Sequence, residues 1–237
     1  MAEFNLGTLS GTPTVASNFV GDSDTRDLYS FRLNSIGNIN LALTGLSADA
    51  DVQLYQDLNN NGLIDSTDRF VSNSTRSGST DDAINVESQA AGDYLVDVYR
   101  YSTNNTKYDL RLSTTTARSA SNLLPTETEV GTLSGTRTFN DSVGKTDTAD
   151  VYHFVLDSDR NFSLSLTGLS SDADVRLYRD SNSNLAVDAG ELIGSSSNSG
   201  TSSDSLTSSL TAGEYFVEVF QYATNVTSNN YTLSLTA

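Results

Sequence analysis

This chain is written twice, and no other feature narrows its fold so far. Gly7-Thr8-Leu9-Ser10-Gly11-Thr12 returns as Gly131-Thr132-Leu133-Ser134-Gly135-Thr136, and Asp27-Leu28-Tyr29-Ser30-Phe31 returns as Asp150-Val151-Tyr152-His153-Phe154. Leu43-Thr44-Gly45-Leu46 through Asp57 matches Leu166-Thr167-Gly168-Leu169 through Asp180, and the run from Ala91 to Tyr99 matches that from Ala212 to Phe220. Both copies close on similar strands, at 108–112 and 231–235, and the offset stays between 121 and 124 throughout. A period this long means two whole domains and not a solenoid of small units. The domains are bounded as 1–114 and 127–237. Residues 115–126, polar, aperiodic and holding one of only two prolines, read as a linker.

Within each copy apolar residues alternate with polar ones. Tyr94, Val96 and Val98 share one face of a strand and Asp97 the other; Ile39, Leu41 and Leu43 share a face against Asn40, Ala42 and Thr44. About eight such strands fit each copy, separated by Gly, Asn, Asp and Ser turns. Helical stretches rich in alanine or leucine are missing. One face of each strand is buried and the other wet, so two antiparallel sheets must meet. The expected class is all-β: two tandem antiparallel β-sandwiches, jelly-roll-like.

The chemistry concentrates in one stretch of each copy. In the twelve residues from Asp57 to Asp68, oxygen-bearing side chains stand at positions 1, 3, 5, 9 and 12 (Asp57, Asn59, Asn61, Asp65 and Asp68), with Gly62 at position 6 and Ile64 at position 8. That is the order of an EF-hand calcium loop, in which position 7, here Leu63, gives its backbone carbonyl. The second copy offers Asp180, Asn182, Asn184, Ala186 by its carbonyl, Asp188 and Glu191. A hard cation wants six to eight oxygens, and such a loop can curl to supply most of them. Two carboxylates ~5 Å apart repel by roughly 3 kcal/mol at an effective dielectric of about 20, so a compact loop is favoured once a divalent ion enters. The plainer alternative is a solvated turn in which Asn and Asp bond their own backbone. The second loop departs from the pattern, because Leu185 stands where Gly62 does, and a left-handed backbone costs a non-glycine residue about 1 kcal/mol or more. Glu191 partly offsets this with a longer chelating arm. Calcium affinity is expected to be weak, in the extracellular range of roughly 10⁻⁴–10⁻³ M.

A second candidate metal cluster is Asp24, Asp27, Asp49 and Asp51, repeated as Asp147, Asp150, Asp172 and Asp174. It assembles if strands near 27–34 and 37–46 form a hairpin; turn-capping aspartates are the favoured alternative. A candidate ligand face comprises Tyr99 and Tyr101, beside Asp97, with Phe220 and Tyr222 beside Glu218. Exposed aromatic pairs stack on sugars or peptides, though such residues more often pack beneath a loop.

Charge and composition exclude several classes. Thirty acidic residues against thirteen basic ones give a net charge of −17. A surface this negative repels nucleic acid and anionic lipid and attracts divalent cations. There is no cysteine, so a secreted chain of this kind needs another clamp, and metal is the usual one. No apolar run approaches the roughly 20 residues that span a bilayer, and Met1-Ala2-Glu3-Phe4-Asn5 does not read as a signal peptide. The single histidine, His153, is matched by Ser30 in the other copy. No nucleophile elbow or phosphate loop appears, and the paired carboxylates sit in metal-loop spacing. The expectation is no enzyme activity.

These residues resemble the bacterial pre-peptidase C-terminal domain family. The resemblance rests on Gly-Thr-Leu-Ser-Gly-Thr, on Asp-x-x-Asp-x-Tyr-x-Phe (Asp24 to Phe31, Asp147 to Phe154), on Leu-Thr-Gly-Leu-Ser-x-Asp-Ala-Asp-Val and on Ala-Gly-x-Tyr-x-Val-x-Val. It covers nearly all of both copies. It implies a β-sandwich or jelly roll, usually attached to secreted peptidases and sometimes removed on maturation. The collagen-binding domains of clostridial collagenases look similar and hold calcium. The twelve-residue loop is longer than the short turn expected there in the family. The reading that follows is a calcium-binding, non-catalytic accessory module, secreted or at the cell surface. The alternatives are an adhesive or targeting module for collagen-like extracellular protein or polysaccharide, and a pro-segment or chaperone-like partner of a peptidase.

Overall fold

The computed structural model describes residues 3–237; Met1 and Ala2, which the expected first domain includes, lie outside the described residues. The chain divides after Thr116 into two compact units. Unit 1 has nine strands: β1 (Phe4–Thr8), β2 (Thr14–Val20), β3 (Arg26–Leu33), β4 (Gly37–Thr44), β5 (Ala50–Asp57), β6 (Arg69–Ser74), β7 (Asp82–Gln89), β8 (Gly92–Arg100) and β9 (Thr106–Thr115). Unit 2 repeats them as β10 (Thr128–Thr132), β11 (Thr136–Val143), β12 (Ala149–Leu156), β13 (Arg160–Thr167), β14 (Ala173–Tyr178), β15 (Leu192–Ser196), β16 (Asp204–Leu210), β17 (Gly213–Gln221) and β18 (Asn229–Thr236).

Each unit is a two-sheet sandwich. In unit 1 a five-stranded sheet runs β1-β3-β8-β5-β6 and a four-stranded sheet runs β2-β9-β4-β7; unit 2 has the same order, β10-β12-β17-β14-β15 and β11-β18-β13-β16. All pairings are antiparallel except β1 with β3 and β10 with β12. The chain leaves the first sheet through β2 before returning in β3, and such a crossover is what a parallel pair requires.

The inward positions are those the alternation marks. Tyr29, Phe31, Ile39, Leu41, Leu43, Val52, Leu54, Tyr94, Val96 and Val98 share the core of unit 1, and Tyr152, Phe154, Leu166, Val175, Leu177, Val217, Val219 and Leu233 that of unit 2. The expected wet face of β4 is not wet. Every residue of that strand is buried, because it lies centrally between β7 and β9 and its outward polar groups are bonded across. Arg111 Nη1 donates to Thr44 Oγ1 at 2.6 Å and Asn40 Nδ2 to Thr115 Oγ1 at 3.2 Å.

The stretch read as a linker is largely packed. Leu123 and Leu124 are buried and Ala120 nearly so. Leu124 packs with Val151, Tyr178 and Phe216, and Ala120 with Ala149 and Phe220. Two adjacent leucines in a polar run do not show a periodic signal, which is why the segment looks like linker sequence. It is a strap across the outer face of the five-stranded sheet of unit 2.

Candidate metal centre

The twelve-residue loops are hairpin connections. Asp57 ends β5 and Arg69 begins β6, so positions 1 to 12 bridge two paired strands. The end carboxylates turn inward onto the loop's amides. Asn61 N donates to Asp57 Oδ1 at 3.3 Å and Gly62 N to Asp57 Oδ2 at 2.9 Å. Leu58 N donates to Asp68 Oδ1 at 3.2 Å and Asp65 N to Asp68 Oδ2 at 2.9 Å. The middle residues join the same set: Asn59 Oδ1 accepts from Asn61 N, Asn61 Oδ1 from Leu63 N, and both side-chain amides donate to Asp65 Oδ2.

The second loop, between β14 and β15, repeats these bonds of positions 1, 3, 5, 9 and 12. Asn184 N and Leu185 N donate to Asp180, at 3.2 and 2.8 Å. Ser181 N and Asp188 N donate to the two oxygens of Glu191, at 2.8 and 2.9 Å. Asn182 and Asn184 donate to Asp188 Oδ2, both at 2.8 Å. Positions 4 and 6 take left-handed backbone in both loops: φ is +55° at Asn60 and +67° at Gly62, +56° at Ser183 and +55° at Leu185. Leucine therefore adopts the conformation that glycine serves in the other copy. Leu185 packs against the Leu124, Tyr178 and Phe216 cluster, and its carbonyl accepts from Leu124 N at 2.9 Å.

Electrostatics follow from these bonds. Asp65 is held well below the usual carboxylate range, first by the Thr67 hydroxyl and amide and then by Asn61 and Asn59. Asp188 is lowered by Asn182 and Asn184. Among the described residues no three carboxylates or histidines cluster closely enough to hold an ion unaided. A cation here would need the asparagine carbonyls and the carbonyl at position 7 as well as the acids. The donor set fits that demand: all oxygen, mixed charge, in one curled loop.

The second acidic cluster does not assemble. Strands β3 and β4 pass to opposite sheets and form no hairpin. Asp27 lies in register with the core residues Tyr29 and Phe31, whereas Asp51 alternates with the core residues Ala50 and Val52 and so faces outward. They flank β8 on opposite faces of one sheet. The motif Asp-x-Tyr has a structural use instead. Tyr108 OH donates to Asp27 Oδ2 and lies 2.7 Å from Tyr29 OH; Tyr231 OH donates to Asp150 Oδ2 at 2.5 Å and lies 2.7 Å from Tyr152 OH. Burial pushes Asp27 up to about 6. Asp24 and Asp147 close exposed turns. The backbone carbonyls of Asp49 and Asp172 accept from residues 101–102 and 222–223. Asp174 is pushed up to about 6 by burial, with Asp172 and Asp204 adding repulsion.

The aromatic face is also different from the expected pairs. Phe220 is buried, with Arg176 5.0 Å over its ring. Tyr99 is half-buried beside Asp51, and Tyr222 lies under Arg118 at 5.5 Å. Of the four, Tyr101 at 72% and Tyr222 at 39% are exposed.

Three acids outside the expected metal sites prove to be structural anchors. Glu218 is fully buried behind the strap, accepting from Ser121 N at 2.6 Å and Tyr178 OH at 3.0 Å, and burial pushes it up to about 7. Asp82 and its counterpart Asp204 are also buried; each accepts from a serine hydroxyl and a turn amide. For Asp82 and Asp204, polar residues of inward parity at the start of β7 and β16, that position was the available signal.

Two sandwiches of one topology, each carrying an acidic hairpin loop, define a tandem β module. The model of the bacterial pre-peptidase C-terminal domain matches residues 25–100 and 148–221, more than half of the chain, and the chain belongs to that family. Domains of this family are non-catalytic accessory domains that occur in secreted bacterial proteins. No curated protein matches in sequence. Among solved structures, the pre-peptidase C-terminal domain of collagenase from Bacillus anthracis is 19% identical, over 48% of this chain and 97% of that one, with a TM-score of 0.34. The exported protein XepA of PBSX is 11% identical, over 97% of this chain and 88% of that one, with a TM-score of 0.35. No helix among the described residues is long and apolar enough to cross a membrane.

Proposed function

We propose that the chain is a calcium-binding accessory module of secreted or surface type, in which the ion joins β5 to β6 and β14 to β15 and so stabilises each sandwich. The observation that carries this reading is that the residues at positions 1, 3, 5, 9 and 12 make the same bonds in both loops although position 6 is Gly62 in one and Leu185 in the other, and position 12 is Asp68 in one and Glu191 in the other. Turn chemistry alone does not require five oxygen-bearing side chains in EF-hand order. Because the ion binds only the folded loop, its binding free energy adds to folding free energy. The residues proposed as ligands are Asp57, Asn59, Asn61, Leu63 (carbonyl), Asp65 and Asp68, with Asp180, Asn182, Asn184, Ala186 (carbonyl), Asp188 and Glu191. Melting temperature measured across a calcium titration into the millimolar range, against magnesium and chelator, tests this. A rise specific to calcium is expected. An unchanged midpoint removes the proposal.

A further inference from the structure

On the outer face of the five-stranded sheet of unit 2, β14 carries Asp174 and Arg176 in one row. Register sets Phe220 of β17 against Asp174, and Glu218 and Ser195 on either side of Arg176. A cavity of about 330 Å³ opens over this row. Asp172, Arg118 and Tyr222 also line it, and serines of β15 and the turn after it form one wall. That volume falls within the range of small-molecule sites, ~300–1,000 Å³.

Asp174 is the anomalous member. It is 5% exposed, and burial disfavours its charge, as do Asp172 and Asp204. Among the described residues no hydrogen bond or ion pair reaches its carboxylate. Asp172 Oδ1 is likewise buried without a partner. The first copy shows what satisfies an acid in this position. There Asp51 pairs with Tyr99 across the strands, and the phenol supports its charge, partly offsetting burial. In unit 2 Phe220 replaces Tyr99 and has no hydroxyl, and Arg176 replaces Gln53. A buried carboxylate left without donors is costly, so a ligand that brings donors gains by entering.

The charges around the cavity select the class of ligand. An anion would meet Asp172 and Asp174 on a chain of net charge −17. A cation would meet Arg118 and Arg176, whose guanidinium groups stand 5.5 Å over Tyr222 and 5.0 Å over Phe220. The two pairs of charges cancel. What fits both is a neutral molecule with several hydroxyl groups, since a hydroxyl donates to a carboxylate and accepts from a guanidinium. Tyr222, 39% exposed, adds an apolar ring for a carbon skeleton.

We propose that this cavity of unit 2 is a binding site for a neutral saccharide. Hydroxyls of one sugar ring donate to Asp174 and Asp172, and Arg118 and Arg176 donate to its other oxygens. The site uses none of the residues of the calcium-type loops and does not rest on their binding an ion.

The test titrates the whole chain with a panel of neutral oligosaccharides (tetramers of β-glucan, α-glucan, mannan, xylan and N-acetylglucosamine), read by two-dimensional amide NMR. It is run in calcium and again in chelator, so that failure of the metal reading is seen separately. Saturable shifts at Asp174, Arg176, Ser197 and Tyr222 are expected in both buffers with at least one sugar. Asp174→Asn removes a poorly solvated charge, so it should keep the melting temperature while weakening binding about tenfold or more. Phe220→Tyr, which restores the hydroxyl of the first copy, should also weaken binding. Asp51→Asn in unit 1 should leave the affinity unchanged. No saturable response to any sugar of the panel overturns the proposal, and so does binding that Asp174→Asn leaves at full strength. A response at these residues to free arginine or to glucuronate in preference to the neutral sugars assigns the cavity to a charged ligand and overturns it equally.

Discussion

At position 6 of the hairpin loops unit 1 has Gly62 and unit 2 has Leu185, and both take left-handed backbone. Glycine does so without steric cost. Leucine gives up about 1–2 kcal/mol, but the strap offers its side chain an apolar neighbour, and burying a leucine-sized group is worth roughly 1.5–3 kcal/mol. Partial burial is enough to offset the strain. The first loop is thus locally encoded and exposed, whereas the second depends on a segment more than fifty residues upstream. Duplicate loops have been given different supports.

Removing the strap's anchor should separate the two units most strongly. Leu124→Ala is expected to destabilise unit 2 by about 2–5 kcal/mol, the usual range for a buried leucine, and to leave unit 1 alone. Hydrogen exchange resolved by unit reads this; equal loss in both would dissolve the distinction. The same variant should weaken calcium binding at the second loop only.

The buried carboxyl behind the strap sets a pH asymmetry. Glu218 holds its proton more tightly in the fold than in the open chain, with a folded value of about 7. A raised value means its contribution is complete below the ordinary glutamate range and is lost as pH rises through about 7, by up to about 3 kcal/mol. Burial also raises Asp27 and Asp82 in unit 1, each to about 6, so urea midpoints in chelator should fall with pH in both units; the step near pH 7 should belong to unit 2, and Glu218→Gln should remove it. In unit 1 the equivalent Asp97 has Arg26 as a charged partner.

Position 1 tests the metal reading loop by loop. Asp57→Asn and Asp180→Asn should each remove one calcium-dependent step in isothermal titration while the other persists. Retention of both steps would show that the loops are turns only. The smallest effect concerns the backbone: Gly62→Ala should destabilise calcium-free unit 1 by about 1 kcal/mol. Leu185→Gly, which relieves strain but loses apolar contact, should change unit 2 by less than Leu124→Ala does. Thermal melts of the two variants provide the comparison.

Some of this was legible from residues alone. The alternation of Tyr94, Val96 and Val98 marked the core because strand side chains have period two. The donor order of the loops was equally local, being a property of twelve consecutive residues. Asp27 and Asp51 misled because their proximity was argued from a hairpin between β3 and β4. Alternation says which residues share a face, but it is silent on which sheet a strand joins. Phe220 misled for a related reason: its outward parity was right, and what covers that face was not visible.

Duplication, strand content and the chemistry of each hairpin loop follow from short-range pattern, since each is set by residues that are neighbours in the chain. Tertiary structure alone settled the sheet partners, the burial of Glu218 and the conversion of an apparent linker into a strap. Those depend on which distant surfaces meet, and burial free energy is assigned by that meeting and not by the residues' order.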